Sequence, residues 1–390
     1  MTRAEQAPFT LPMLVSGFVA VLVGYSSSGA IIYQMFQAAG ATPAQIGGWL
    51  SVLGLAQGIV SLGLSLRYRM PVLAAWSTPG AALLATSFHG VTLNEAVGVF
   101  VFANLLIVLC GVTGLFARLM NHIPASLAAA MLAGILLRFG LQTFADLQSN
   151  FALCGSMCLA WLLARRWLAL YAILVTLLAG ILVALMQHAI HFPPHAVRLA
   201  LPEPIMPHFS LPLLLGTGLP YFLVTMASQN APGIATLQAH GYRPPVSALM
   251  TRTGLTALLL SPFGGFSVCV AAITAAICMS EEVDPDPQKR WRAAALAGVF
   301  YLLAGASGAL IAVLFSALPA VLIEALAGLA LLATLGGSLQ RALEQPAERD
   351  SALITFLITA SGVSLLGIGP AFWGLTGGVL AHLLLVRKTG

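Results

Sequence analysis

The sequence is short of charge. Its 390 residues include 12 Asp or Glu and 17 Lys or Arg, so 7% are charged, where a water-soluble domain carries about 25%. With 59% hydrophobic residues and a mean hydropathy of +0.95, there are too few polar groups to cover a folded body of this size in water. The solvent for most of the chain is therefore lipid. Strict polar–apolar alternation is missing too, which argues against an outer-membrane β-barrel. So are long polar stretches: the two longest, His191–Pro207 and Glu281–Arg292, leave no room for a soluble domain. The five cysteines (Cys110, Cys154, Cys158, Cys269, Cys278) all lie in apolar runs. Cys154 and Cys158 share a helix face but lack partners for a metal, and all five read as small buried hydrophobes. No Ser/His/Asp set or metal pattern falls at membrane depth, and every histidine except His382 falls in a loop or at a span end. That points away from an enzyme, from a metal and from a cofactor. The net charge of +5 is better explained by membrane topology than by a nucleic-acid partner.

What is present is a series of long apolar runs. A spanning helix needs about 20 apolar residues, and fourteen such segments can be marked along the chain. The first follows Met1 to Pro12 and is too long for a signal-peptide core, so it reads as a span. With the N-terminus placed in the cytoplasm, 14 of the 17 basic residues fall in cytoplasmic ends and loops. These are Arg3, Arg67, Arg69, Arg118, Arg165, Arg166, Arg243, Lys289, Arg290, Arg292, Arg341, Arg349, Arg387 and Lys388; Arg138, Arg198 and Arg252 are the remainder. The bias is that of the positive-inside rule, and it predicts an even number of spans with both termini cytoplasmic. Glu281, Glu282, Asp284 and Asp286, beside Lys289, Arg290 and Arg292, read as a solvated cytoplasmic loop.

The segments repeat. Segment five opens Ile123-Pro124-Ala125-Ser126-Leu127 and reaches Leu132-Ala133-Gly134; segment twelve opens Leu318-Pro319-Ala320-Val321-Leu322 and reaches Leu326-Ala327-Gly328. Segment three carries Ser77-Thr78-Pro79-Gly80, and segment ten carries Ser261-Pro262-Phe263-Gly264-Gly265. Segment one is interrupted at Tyr25-Ser26-Ser27-Ser28-Gly29 and segment eight at Ser228-Gln229-Asn230-Ala231-Pro232-Gly233. Each pair is seven segments apart. An odd repeat length inverts the second half in the membrane, the plan of many secondary transporters. The predicted fold is thus an all-α polytopic membrane protein of 14 transmembrane segments in two inverted repeats, residues 1–195 and 208–390. Segments three and ten are broken.

The breaks locate the candidate site. In Thr78-Pro79 and Ser261-Pro262, a hydroxyl residue precedes proline, a pattern that opens a helix. Two helix starts facing each other near the midplane would offer unpaired N–H groups and partial positive charge, an anion site without Lys or Arg. The run after Pro262 is long for a half-helix, which moves that break toward Gly264-Gly265. The competing reading is two proline kinks that serve only helix packing. Ser26, Ser27, Ser28, Ser228, Gln229 and Asn230 add hydroxyls and amides, and Trp76, Phe263 and Phe266 could pack on an aromatic ring. Glu324, one turn into segment twelve, is the clearest intramembrane carboxylate. It is a proton carrier, a partner for Arg138 across the repeat interface, or a group near the outer surface.

Ala75-Trp76-Ser77-Thr78-Pro79-Gly80-Ala81, Gln229-Asn230-Ala231-Pro232-Gly233, and Pro262-Phe263-Gly264-Gly265 followed by Ala271 to Cys278 resemble the BenE family of benzoate–proton symporters. The likeness runs end to end, with Asp284-Pro285-Asp286-Pro287 before Arg290-Trp291. It departs after Gly265, where Phe266-Ser267-Val268-Cys269-Val270 replaces a more polar family stretch. The family is similar in fold to the nucleobase and sulfate carriers. That resemblance implies a core bundle (segments 1–4 and 8–11) moving against a gate bundle (5–7 and 12–14) in a bacterial inner membrane. It also implies a proton and an aromatic carboxylate as partners. The residues then expected at the substrate are Tyr25, Ser27, Trp76, Thr78, Pro79, Gly80, Ser228, Gln229, Asn230, Pro262, Phe263, Gly264, Gly265 and Phe266. Nucleobase carriers place carboxylates in segments eight and ten, whereas this chain has neutral Gln229 and Asn230 in segment eight and no carboxylate in either, which suits an anion. A nucleobase or inorganic-anion carrier and an anion channel are the alternatives, and a homodimer is left open as the assembly.

Overall fold

Apolar helices fill nearly all of the computed structural model, which describes residues 9–115, 124–191, 202–366 and 368–385. Arg3, Arg118, Ile123, Arg198, Arg387 and Lys388, used above to read topology and repeat, lie outside the described residues. The chain begins with α1 (Leu11–Ala38) and α2 (Pro43–Tyr68), then the short strand β1 (Ala74–Ala75), α3 (Thr78–Ser87) and α4 (Leu93–Thr113). Next come α5 (Ala125–Ala145), α6 (Phe151–Trp167) and α7 (Ala172–Met186). The second half opens with α8 (Leu211–Gln238), α9 (Val246–Leu260), strand β2 (Cys269–Val270) and α10 (Ile273–Met279). It closes with α11 (Trp291–Ala306), α12 (Gly308–Ala317), α13 (Ala320–Leu343), α14 (Arg349–Ser361) and α15 (Pro370–Leu385). Six of these helices are long and apolar enough to cross a membrane, and a pair bent by 62° before Gly308 makes a seventh. Large apolar side chains point outward along the helices, among them Ile59, Leu109, Leu182 and Leu383, each more than 45% exposed. In lipid such a surface needs no polar cover.

Helix ends follow local chemistry. Thr42 and Thr92 each accept the N–H three residues on, while Gln45 and Glu95 reach back to the cap, the reciprocal arrangement that satisfies two otherwise free donors. Small residues set the closest packing. α2 runs along α11, and a Cβ added at Gly54 would lie 2.5 Å from the Cα of Gly305, so only glycine permits that approach. α4 packs along α9 in the same way that α2 packs along α11, and α5 packs along α13.

The strands β1 and β2 pair antiparallel, Ala74 opposite Val270 and Ala75 opposite Cys269. Extended backbone inside a membrane must find partners within the protein. Here Ala271 N donates to Leu73 O at 2.8 Å. Side chains supply the rest. Ser61 Oγ accepts from Ala74 N at 2.9 Å, Ser65 Oγ donates to Val72 O at 2.9 Å, and Ser267 Oγ accepts from Ser77 N at 2.7 Å. Asn230 Oδ1 accepts from Val270 N at 3.0 Å, and Tyr221 Oη donates to Phe266 O at 2.6 Å. Asn104 Nδ2 donates to Phe266 O at 3.1 Å and to Ser261 Oγ at 3.0 Å.

Three expectations about the interruptions change. Segment one does not break: α1 is one continuous helix through Tyr25 and Ser26-Ser27-Ser28, whose hydroxyls donate to carbonyls three or four residues back. Segment eight widens instead of breaking. Across Met226–Asn230 the turn is a π-turn, with Ala231 N bonded to Met226 O, because Pro232 has no N–H to continue the ladder. In segment ten, Ser261-Pro262 ends a helix rather than starting one. α9 tightens into a final turn through Phe263, and Gly264 takes φ +82°, the left-handed position that stops helices.

Arg290 departs from the solvated-loop reading. It is 5% exposed, and its guanidinium donates to Met279 O at 2.8 Å and to Asp284 O at 2.8 Å. It thereby caps the C-terminal end of α10.

Candidate functional site

A cavity of about 610 Å³ lies where the broken segments cross, within the size range of small-molecule sites. Its wall includes Ser27 and Ser28 from α1, Trp76, Thr78 and Pro79 from the first break, and Ala227, Ser228 and Gln229 from the π-turn. It also includes Ala271, Ala272, Ile273 and Thr274 from the second break, Tyr301 from α11, and small residues of α5 and α13. Both broken segments therefore deliver a helix start to one space.

The two starts differ. At α3 the cap is Ser77, one residue earlier than expected, and its Oγ accepts from Gly80 N at 3.0 Å. With Pro79 lacking an N–H and Gly80 N engaged, Thr78 keeps the open backbone donor and adds its hydroxyl. At α10 the cap position is Ala272, and no side chain caps the helix. The first N–H groups of any helix have no intrahelical acceptor, so those of Ile273 and Thr274 stay open to the cavity. α10 has seven residues, too few for a large dipole, so local N–H groups matter more there than the summed field.

The π-turn adds acceptors. Ala231 N reaches past Ala227 to Met226 O, and Pro232 offers no donor to Ser228. The carbonyls of Ala227 and Ser228, both cavity residues, lose their usual partners. Trp76 is fixed rather than free: its indole N–H donates to Ser28 Oγ at 2.6 Å, and Ser28 Oγ donates to Gly24 O at 2.7 Å.

Of the residues expected at the substrate, Ser27, Trp76, Thr78, Pro79, Ser228 and Gln229 line this cavity. Tyr25 stands behind Trp76, edge-on, at 4.9 Å between ring centroids. Gly80 is packed against Tyr221 and Thr225. Asn230 holds β2. Pro262, Phe263, Gly264, Gly265 and Phe266 are absent from the cavity wall. Pro262 O accepts from Ile205 N at 2.8 Å, Gly264 lies against Trp49, and Phe266 packs with Phe36 and Phe100. Sequence reasoning missed Gln57, Thr274, Tyr301 and Arg341, which do line the cavity. For Gln57 the available signal was an amide in the middle of an apolar run.

A second cavity, of about 740 Å³, lies farther along the same helices. Gln34 and Gln37 of α1, Thr86 and His89 at the end of α3, Arg138 and Gln142 of α5, and Glu324 of α13 line it. Buried apolar residues separate the two spaces on every helix they share: Ile31 and Ile32, Leu83 and Leu84, Leu136, and Leu326. Glu324 and Arg138 share this cavity, yet among the described residues no ion pair joins them. Gln142 Nε2 donates to Asp146 Oδ1 at 2.7 Å.

An apolar multi-helix body whose two interrupted segments cross beside a cavity, with hydroxyl and amide groups set in an otherwise apolar wall, has the build of a membrane transport protein. The chain belongs to the BenE family, described as benzoate membrane transport protein, whose family model matches residues 7–384. It is 58% identical over 374 residues to the inner membrane protein YdcO of Escherichia coli (strain K12), covering 96% of each chain. It is 36% identical over 387 residues to the benzoate membrane transport protein of Acinetobacter baylyi, covering 99% of this chain and 98% of that one. In fold it is similar to SLC26A9, with a TM-score of 0.63 at 14% identity, over 95% of this chain and 65% of that chain. It is also similar to the transmembrane domain of the cyanobacterial bicarbonate transporter BicA, with a TM-score of 0.53 at 15% identity, over 98% and 97%. The inner-membrane relative supports a bacterial inner membrane as the location.

Proposed function

We propose that the protein is a secondary active transporter that moves benzoate or a related aromatic carboxylate together with protons by alternating access. The observation that carries this reading is the single cavity bounded by both helix starts, the π-turn and Trp76. The carboxylate sits at Thr78 and the open N–H groups of Ile273 and Thr274, Gln229 and Ser228 orient it, and Trp76 packs on the ring. Backbone and neutral donors hold the anion there without a buried counter-charge to desolvate.

The membrane plan belongs to the same proposal. Fourteen segments form two inverted repeats, residues 1–195 and 208–390, with both termini cytoplasmic. The antiparallel pairing of β1 with β2, and the matching of α2 with α11 to α4 with α9, support it. Segments 1–4 and 8–11 form the core bundle, and segments 5–7 and 12–14 the gate. The two cavities then open to opposite sides, and rocking of the gate transfers access from one to the other. Glu324 in the outer cavity is the candidate proton carrier, and the freed carbonyls of Ala227 and Ser228 accept hydrogen bonds in the inner one.

Purified protein in proteoliposomes should take up labelled benzoate faster with an inward proton gradient than without one. Gradient-independent uptake would make it a uniporter or exchanger. The fold likeness to BicA favours an inorganic-anion carrier as the second reading. Bicarbonate or sulfate competing with benzoate at equal concentration would support that one.

A further inference from the structure

One arginine stands in the wall of each cavity: Arg341 of α13 in the first and Arg138 of α5 in the second. These two helices cross both spaces in opposite directions. On α5, Ala125 and Ala128 line the first cavity before Arg138 and Gln142 reach the second. On α13, Glu324 lines the second before Thr334, Ser338 and Arg341 line the first. Arg341 is therefore the first-cavity residue of α13 farthest from the second cavity. It lies in the last turn of that helix and is exposed, so it stands at the mouth. Thr334, Ser338 and Arg341 share one helix face and form a polar stripe about 10 Å long leading inward.

The charge of this wall is one-sided. Among the described residues no Asp, Glu, Lys or His lines the first cavity beside Arg341, whereas Arg138 shares its cavity with Glu324 and His89. Among the described residues no carboxylate lies within ion-pair distance of Arg341. Glu344 and Glu348, the acidic residues that follow it in sequence, are outside the wall, and Glu348 already accepts from Ser126 Oγ at 2.5 Å.

An anion entering an apolar cavity gives up water before it reaches the open N–H groups at the helix starts. A guanidinium at the entrance offsets that cost where it arises, and its fork matches a carboxylate with two parallel hydrogen bonds. An exposed charge at a rim acts on the rate of arrival and its salt dependence more than on the final grip. An arginine that served only the charge bias of the membrane plan would have no reason to face the cavity. We propose that Arg341 receives the carboxylate at the mouth of the first cavity and hands it along Ser338 and Thr334 to the helix starts at Thr78 and Ile273. This rests on the carboxylate reading above and adds the route by which the anion arrives.

The test is fluorine NMR of 4-fluorobenzoate with the full chain in detergent. Exchange broadening gives the dissociation rate, titration gives the affinity, and their ratio is the association rate. In low salt, Arg341→Gln should slow association roughly three- to tenfold, with dissociation changed by less than about twofold. Molar salt should slow association to the unsubstituted protein but leave Arg341→Gln nearly unaffected. Arg341→Lys should keep most of the rate, and Arg341→Glu should fall below Arg341→Gln. Unchanged association in Arg341→Gln would overturn the assignment while leaving the carboxylate reading intact. Equal losses in Arg341→Gln and Arg341→Lys, with the salt response unaltered, would make the role structural and overturn it too. Failure of the unsubstituted protein to bind 4-fluorobenzoate would remove the carboxylate reading and this one with it.

Discussion

Asn230 Oδ1 accepts the backbone N–H of Val270 at 3.0 Å, so an amide from the π-turn of α8 pins the strand that crosses it. Neighbouring Gln229 lines the cavity. Two consecutive amides in one apolar segment therefore have different work: one holds the crossing together, and the other faces the space it encloses. Asn230→Ala should lower the thermal midpoint in detergent, since it leaves a buried N–H unpaired at a cost of about 1–3 kcal/mol. Gln229→Ala should leave the midpoint within a degree or two but shrink the upward shift caused by benzoate. The reverse pattern would exchange their roles.

Gly264 has φ +82°, and a Cβ there would sit 2.0 Å from Trp49 Cγ. Gly241 has the same φ of +82° with nothing within 4 Å. Gly241→Ala should therefore cost only the left-handed backbone penalty, about 1–2 kcal/mol. Gly264→Ala must also displace a buried indole, and it should abolish the monodisperse peak in size-exclusion chromatography. Equal yields of the two variants would show that Trp49 can move freely.

Arg290 ties its guanidinium to the carbonyls of Met279 and Asp284, while Arg292 lies over the Trp291 ring at 5.7 Å. Arg290→Gln should lower the thermal midpoint by several degrees, because it uncaps α10 and leaves buried carbonyls without a charged donor. Arg292→Gln should change it little, as expected for a partly exposed cation–π contact. Indistinguishable midpoints would contradict the role given to Arg290.

Glu324 and Arg138 share the second cavity. If Glu324 carries the coupled proton, Glu324→Gln should bring uptake with an inward proton gradient down to the rate without one, while detergent-solubilised protein still binds benzoate. Gradient-stimulated uptake in that variant would move the proton elsewhere.

Much of this arrangement is legible in the chain. The scarcity of charge states the solvent, and proline and glycine mark where segments three and ten give way. The error at segment ten has a physical cause. Ser-Pro opens helices and Gly closes them, so Ser261-Pro262-Phe263-Gly264 carries both signals, and the left-handed Gly264 decides for an ending. The true start at Ile273 has Ala272 before it and no side-chain cap, so nothing local announces it. The smooth course of α1 through three serines was hidden because each hydroxyl satisfies itself on its own helix. Asn104, Tyr221 and Ser267 act only through contacts dozens to hundreds of residues away, and no local pattern encodes those. Gln57 was the recoverable omission: a lone amide in an apolar run is costly at membrane depth and marks a functional wall.

The most direct test of where the substrate sits is an anomalous difference map from crystals grown with 4-bromobenzoate. The account predicts one bromine peak in the cavity lined by Trp76, Thr78, Ser228 and Thr274, with the carboxylate toward the helix starts. A peak only among Arg138, His89 and Glu324, with the first cavity empty, would contradict it.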